Sequence, residues 1–298
     1  MKIAMLDLDT SHPGAFLLIL RDLGHQVVAV WDGGTVWDED RASSFAAEHG
    51  VETVADDPGD VIRLVDAVFI HSVDWSRHVP LAQPFVEAGL PVFLDKPIVG
   101  DVSALHQITE WIDAGAVVTG GSALAWCSDV LERQKTAPPD YVDVWCAGHP
   151  LDYGVHGYAL LLGLAQGDVQ AVRHLGSDPE RVELRFADGR SAGLVIGSWG
   201  SLVPFRARLL HDDRSSECAP AFDGLYRSLL GSVVPHLTGE QPTPTALSLT
   251  APERAILAAR ASSRERGRWV DVDTVPAGTG WDGAAFASAY RTRIRATS

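Results

Sequence analysis

The chain has 298 residues, 46% of them hydrophobic and 21% charged, which is enough apolar material for two cores and too much for a disordered chain. Its formal net charge of -15 comes from 39 acidic residues set against 24 scattered basic ones, a balance that works against nucleic acid and anionic membranes as partners. Cys127, Cys146 and Cys218 are odd in number and widely spaced, so they suggest neither a disulfide framework nor a zinc site, and with no apolar leader at Met1 the cytoplasm is the expected compartment.

Short apolar runs alternate with helical patterns from the first residues onward, which predicts βαβ units and a parallel sheet. Ile3 to Leu6 reads as a strand, and Pro13, the run Ala15 to Leu20 and Gly24 mark the helix after it. Val27 to Trp31 is a second strand ending at Asp32. A helix capped by Asp38 or Asp40 and closed by Gly50 leads to a weak strand, Val51 to Val54. Ala67 to His71 is a buried strand, and a helix from Pro80 to Gly89 precedes the strand Val92 to Leu94. A helix over Asp101 to Ala114 and a strand over Ala116 to Thr119 complete a doubly wound Rossmann domain covering residues 1–120.

Beyond Gly121 the strands adjoin one another, so residues 121–298 are expected to form an α+β domain with an open, mainly antiparallel sheet. Tyr141 to Ala147 is a strand and Asp152 to Leu164 a helix. Arg181 to Phe186 and Ser191 to Ser198 form a hairpin across Asp188-Gly189, and Phe205 to Leu210 extends the sheet. Helices follow over Tyr226 to Leu237, Ser248 to Glu265 and Asp282 to Arg295.

A Rossmann strand-to-helix turn normally carries three glycines so that the backbone can approach a pyrophosphate; here it reads Asp7-Leu8-Asp9-Thr10-Ser11-His12. Carboxylates close to a pyrophosphate would repel it by roughly 1 to 4 kcal/mol per charge pair. Thr10 and Ser11 hydroxyls with helix N-terminal amides can replace the glycine amides if Asp7 turns away, while Asp9 or Ser11 can equally be a helix cap. Asp32, at the end of the second strand, stands where an acid takes the ribose hydroxyls of NAD and disfavours NADP. Ser72, at the end of the fourth strand, is a candidate for the nicotinamide ribose.

The firmest chemical signal pairs Asp95-Lys96-Pro97, at a strand end where open α/β sheets bind ligands, with Asp152 and His156, spaced for one helix face. Together they offer a cation, a carboxylate and an imidazole. Trp75, Trp126 and Trp145 are candidates for stacking on sugar faces, with core packing expected for at least two of them. His12, His149 and the other histidines lack metal-ligand spacing, so no catalytic metal is expected.

At Val28 to Asp32, Ala67 to Ile70, His78, Glu87 to Gly89, Asp95 to Pro97 and Asp152 to His156 the chain resembles the glucose-fructose oxidoreductase, inositol dehydrogenase and MocA family, Gfo/Idh/MocA. Within it, the chain resembles a branch with Asp-Thr-Ser-His at Asp9 to His12 in place of glycines. The resemblance implies NAD, or less readily NADP, bound between a Rossmann domain and an open sheet. It also implies a sugar, cyclitol or similar small molecule as substrate, and a homo-oligomer, dimer or tetramer, formed through the sheet. Lys96, Asp152 and His156 become the catalytic set, with Asp9, Thr10, Ser11, His12, Asp32, Ser72, Asp95 and Lys96 around the cofactor. The family's Glu-Lys-Pro is Asp-Lys-Pro here, and the second acid often found three residues after the histidine is Ala159. Three functions fit this reading: an NAD(P)-dependent oxidoreductase, a redox-neutral lyase or glycosidase using bound NAD, and a ligand-sensing regulator with the same fold.

Overall fold

The structure is a computed structural model that describes residues 1–197 and 205–296. Six strands, β1 (Lys2–Leu6), β2 (Gln26–Trp31), β3 (Thr53–Val54), β4 (Ala67–Ile70), β5 (Val92–Leu94) and β6 (Val118–Gly120), form a sheet of order β3-β2-β1-β4-β5-β6. Every pairing in it is parallel, as buried runs such as Ala67-Val68-Phe69-Ile70 require, because helices must then cover both faces. The strand order reverses between β1 and β4, which opens a crevice at their carboxyl ends. The residues that follow β1, β4 and β5 therefore converge there: Asp7 to His12, His71-Ser72 and Asp95-Lys96.

Helices α1 (His12–Asp22) and α2 (Arg41–His49) cover one face of this sheet, and α3 (His78–Glu87) and α4 (Val102–Asp113) the other. Gly50, at φ 64, closes α2 in the left-handed conformation that glycine tolerates. Gly120, at φ 141, has no such freedom to change: a Cβ there would lie 1.9 Å from the Leu94 carbonyl oxygen, so glycine is what lets β6 close on β5 immediately before Asp95.

After α5 (Ser128–Arg133) comes a second sheet, built from β7 (Tyr141–Ala147), β8 (Val169–Ser177), β9 (Glu180–Phe186), β10 (Ser191–Gly197), β11 (Arg206–His211), β12 (Arg214–Cys218) and β13 (Val270–Asp271). Its order is β12-β11-β7-β10-β9-β8-β13, and all its pairings are antiparallel except β7 with β10. One face packs on α6 (Gly154–Ala165) and α9 (Ala251–Arg264) through Val142, Val144, Leu160, Leu184, Leu194 and Ile256. α7 (Leu225–Leu237) returns to the first sheet, burying Leu229, Leu230 and Val233 against Phe16, Leu17 and Leu20 of α1. The short α8 (Ala246–Leu249) precedes α9, and α10 (Gly283–Arg295) meets the single turn Trp75–Arg77 after β4. Among the described residues no helix is long and apolar enough to cross a membrane.

Several boundaries differ from the sequence expectation for identifiable reasons. Helix α3 begins at His78, two residues before Pro80, because Asp74 caps the turn that leads into it. The expected helix Ser248 to Glu265 is two helices, since Thr250 leaves helical geometry and Pro252 starts the second. α6 starts at Gly154, so Asp152 stands in the preceding turn, where the Leu151 and Asp152 amides donate to His149 Nδ1 at 3.2 Å each. β8, β12 and β13 had no clear signal, because Gln170, Arg173, Gly176 and the polar run Arg214 to Glu217 break the apolar alternation. Ser198, the expected end of the hairpin strand, lies outside the described residues.

Candidate active site

The ends of β1, β4, β5 and β6 and the later helices α6, α7 and α10 enclose a cavity of about 330 Å³. Lys96 and Asp152 line it as an ion pair, with Nζ 2.7 Å from Oδ1 and 3.3 Å from the Asp152 carbonyl oxygen. Both side chains are about seven-eighths buried, at 13% and 14% exposure, so water screens the pair weakly. Burial opposes both charges, yet each holds the other: Lys96 is raised by Asp152, and Asp152 is lowered below the usual carboxylate range by Lys96. The site therefore carries a fixed cation whose carboxylate partner keeps it oriented.

His156, on α6, also lines the cavity, with Nδ1 2.7 Å from Ser122 Oγ. Burial and the Lys96 cation pull it down to about 3, so at neutral pH it is an uncharged imidazole. Ser122 Oγ also accepts from the Leu124 amide at 3.2 Å, so one hydroxyl ties the His156 ring to the loop that follows β6.

Asp95 does not face the cavity as an open acid. Its Oδ1 accepts from the Lys96 amide at 2.7 Å, and its Oδ2 is shared by His12 Nδ1 at 2.8 Å and His71 Nδ1 at 2.9 Å. Burial works against the charge, but the two imidazoles hold Asp95 well below the usual carboxylate range. The Lys96 backbone is thereby tied to the ends of β1 and β4 through one carboxylate.

The altered turn after β1 resolves into separate roles. Asp7, fully buried, accepts from Arg77 Nε at 3.0 Å and Nη2 at 3.2 Å, from the Gly33 amide at 3.0 Å and from Ser72 Oγ. Its charge is spent inside the protein, and Ser72, although it lines the cavity, is a brace for Asp7. Asp9 is no helix cap: it accepts from the Val73 amide at 2.8 Å, leaves Oδ1 without a partner, and is pushed up to about 7 by burial and then by Asp7. Ser11 occupies the N-cap position with no side-chain bond, while Thr10 Oγ1 accepts from the His12 amide at 3.1 Å. The cap expected of Asp9 or Ser11 is thus replaced by Thr10, because the Asp9 side chain is drawn under the turn toward Val73.

Asp32 braces the same turn, its Oδ2 accepting from the Leu8 amide at 2.7 Å and its Oδ1 from the Gly34 amide at 2.9 Å. Both oxygens have a backbone partner already, which was not legible from its place at a strand end. Next to it an open depression is lined by Gly33, Gly34, Trp37, Asp38, Glu39, Asp40 and Arg291. Helix α10 spans from the first cavity, which Tyr290 and Arg293 line, to this depression, where Arg291 and Arg295 pair with Asp38. Tyr226 on α7 closes the cavity over His12, the two ring centroids 5.1 Å apart in an edge-on arrangement. Tyr226, Tyr290, Ser122 and Arg77 escaped the sequence reading because each reaches the site through tertiary packing rather than local pattern.

The tryptophans take other positions. Trp75 is core, its Nε1 donating to the Trp281 carbonyl at 3.3 Å; Trp126 borders a separate pocket beside α6 and α9; Trp145 is half-buried on β7. Among the described residues no group of three His, Cys, Asp or Glu side chains could hold a metal ion.

Two buried carboxylates give a stability prediction. Asp9 and Glu253, whose Oε1 accepts from the Ile98 amide at 2.9 Å, are both pushed up to about 7 by burial. A folded-state value above the unfolded one means the native state holds extra protons, so these groups stabilise at low pH and lose that contribution as pH rises from about 4.5 to 7. His156 acts in the opposite sense between about 3 and 6.5, so the comparison must be made against a single variant. Glu253→Gln is expected to gain on the wild type by on the order of 3 kcal/mol between pH 4.5 and 8, read from urea unfolding. An unchanged difference across that range would show that Glu253 is not a buried acid.

Residues 10–119 match the model of the GFO_IDH_MocA family, described as an oxidoreductase family with an NAD-binding Rossmann fold. No curated protein sequence matches the chain. Among solved structures, a probable dehydrogenase from Thermotoga maritima is similar at 17% identity and TM-score 0.77, over 93% of this chain and 100% of that one. Myo-inositol dehydrogenase from Lactobacillus casei, in complex with NAD(H) and myo-inositol, is similar at 13% identity and TM-score 0.77, over 94% and 98%. Scyllo-inositol dehydrogenase from the same organism, with NAD(H) and scyllo-inositol, is similar at 15% identity and TM-score 0.73, over 92% and 99%. At these identities the likeness is one of fold.

Proposed function

On the match of residues 10–119 to the Gfo/Idh/MocA oxidoreductase model, we propose that the chain is an NAD-dependent dehydrogenase or reductase acting on a hydroxyl or ketone of a cyclitol, sugar or similar polyhydroxylated molecule. The observation that carries this reading is the Lys96–Asp152 ion pair, set in a cavity of about 330 Å³ at the carboxyl ends of β4 and β5 and beside the start of α1. A cavity of that size suits a small polar molecule together with the reacting end of a cofactor. The inositol dehydrogenases of the same fold support the substrate class.

The residues present fit a dinucleotide despite the missing glycines. Asp7 is neutralised by Arg77 and burial pushes Asp9 up to about 7, which weakens the negative field either presents to a phosphate. Thr10 and Ser11 at the N-terminus of α1 are the groups that would hold the phosphates, and the depression at Gly33 to Asp40 would take the adenosine end. Glu39 and Asp40 repel a 2′-phosphate there, while Asp38 is paired with Arg291 and Arg295, a balance that favours NAD over NADP. The bound nicotinamide would supply hydride acceptance or donation.

The chain supplies the rest. Lys96 donates a charged hydrogen bond to the reacting oxygen and stabilises its alkoxide character. Asp152 holds Lys96 and accepts from a neighbouring hydroxyl of the substrate, fixing its orientation. His156, uncharged at neutral pH, lines the same cavity. The test is to incubate the protein with NAD⁺ and separately with myo-inositol, scyllo-inositol, glucose and sorbitol, following NADH by its near-ultraviolet absorbance. Accumulation of NADH with at least one polyol is expected; none with any of them would remove the polyol class.

A further inference from the structure

We propose that α10 is a strap over the dinucleotide and that its Arg293 binds the pyrophosphate, in place of the glycine amides that the turn after β1 lacks. The assignment rests on the dehydrogenase reading of the cavity and adds to it a cation for the phosphates.

A dinucleotide carries a negative charge on each phosphate into a chain whose formal net charge is already -15. A glycine turn meets those charges with backbone amides at close range, but Asp7 to His12 contains no glycine and holds Asp9. The lysine and arginine that line the cavity, among the described residues, are Lys96 and Arg293. Lys96 is held by Asp152. Arg293 is therefore the lining cation that can serve the phosphates.

Both ends of α10 are fixed to identified places, and this locates Arg293 between them. At its start, Gly283 is pressed on the turn after β4 so closely that a Cβ would lie 2.3 Å from Asp74 Oδ1. Phe286 meets Trp75 and His149 with ring centroids 4.9 and 5.0 Å away, and His149 accepts from the Asp152 amide, so this end stands beside the Lys96–Asp152 pair. At its far end, Arg291 Nη1 donates to the Gly34 carbonyl at 3.4 Å, and Arg291 and Arg295 pair with Asp38 at the depression that takes the adenosine. Arg293 lies about 4.5 Å beyond Tyr290 along the helix axis and about 3 Å short of Arg295. It lines the cavity together with Thr10 and Ser11, and its guanidinium sits over the Tyr290 ring, 5.2 Å from the centroid.

The depression adjoins the same turn, since Trp37 Nε1 donates to the Asp9 carbonyl at 3.1 Å. A dinucleotide with its nicotinamide at Lys96 and its adenosine at Gly33 to Asp40 thus runs past both the turn and α10, with its pyrophosphate at the level of Arg293. A guanidinium there offers two parallel N–H donors to phosphate oxygens. The start of α10 is held by packing and its end by the exposed Asp38, a weaker tie, so the end is the part that lifts to admit the nucleotide.

Calorimetric titration of the full chain with NAD⁺ and with ADP-ribose, which carries the pyrophosphate without the nicotinamide, tests the assignment. Arg293→Gln should bind both about tenfold to a hundredfold more weakly than the wild type, and Arg293→Lys, which keeps the charge, should recover part of the loss. Added salt should weaken ADP-ribose binding less steeply in Arg293→Gln than in the wild type, a difference that lost packing alone does not give. Trypsin cuts after arginine, and NAD⁺ should slow its cutting at Arg291, Arg293 and Arg295 of the wild type. Arg293→Gln binding ADP-ribose within about threefold of the wild type would overturn the proposal and leave the dehydrogenase reading standing. NAD⁺ that speeds the cutting would overturn it too, by showing that α10 occupies the path of the nucleotide and must leave it. A folded wild type that binds neither NAD⁺ nor ADP-ribose would overturn both readings together.

Discussion

Lys96→Met is expected to lower turnover by about a hundredfold to a thousandfold while changing nucleotide affinity little. A preorganised donor aimed at developing oxyanion charge in a water-poor site contributes about 2.7 to 4 kcal/mol, and Met fills similar space without supplying it. The variant also leaves Asp152 in its buried position without the cation 2.7 Å away that holds it ionised. Asp152 then takes up a proton more readily, and it can no longer present a fixed carboxylate to a substrate hydroxyl. His156 provides an internal control, because the Lys96 cation is the second cause of its depression to about 3. In Lys96→Met its NMR titration should move upward. Steady-state kinetics with the accepted polyol and fluorescence titration with NADH measure the two effects; a variant with wild-type kcat would place the reacting oxygen elsewhere.

Arg77→Met should carry the largest stability cost of any single change at the site. Arg77 meets the fully buried Asp7 through Nε and Nη2 and lies over the Trp31 ring at 5.7 Å from its centroid. Removing one partner of a buried pair leaves the other charge uncompensated and typically costs about 3 to 5 kcal/mol. For a chain of this size that corresponds to a fall in Tm on the order of 10 °C. The double variant Asp7→Asn with Arg77→Met should recover part of the loss, since it removes the orphaned charge as well. Nucleotide affinity should fall in Arg77→Met and recover in the double variant, because an exposed field from Asp7 opposes the phosphates. Thermal unfolding that leaves Arg77→Met within about 1 kcal/mol of the wild type would show that Asp7 does not depend on this pair.

The first sheet was legible because its signals are local. Buried runs such as Ala67 to Ile70 read as parallel strands without any partner, and Gly50 and Gly89 end helices whose apolar periodicity is plain. Asp95, Lys96, Asp152 and His156 could be picked out for the same reason, as polar groups at strand and helix ends in a parallel α/β pattern. Their partners could not. Whether Asp32 faces a ribose or the Leu8 amide, and whether Asp9 caps α1 or turns under it to Val73, is decided by a few ångströms of tertiary packing. Ser122, Tyr226 and Tyr290 join the cavity from loops and helices far along the chain, where each looks like an ordinary core or surface residue. His12 shows the limit most clearly: its place in the turn after β1 puts it among the residues around a cofactor, but its bond to Asp95, which ties that turn to the end of β5, appears only in the fold.

Calorimetric titration of the wild type with NAD⁺, NADH, NADP⁺ and NADPH tests the central claim most directly, because it needs no knowledge of the substrate. The account predicts saturable binding of NAD(H) and weaker binding of NADP(H), opposed by Glu39 and Asp40 at the adenosine end. No heat from any of the four, with the protein folded, would contradict it and leave the Lys96 cavity as a site for some other small molecule.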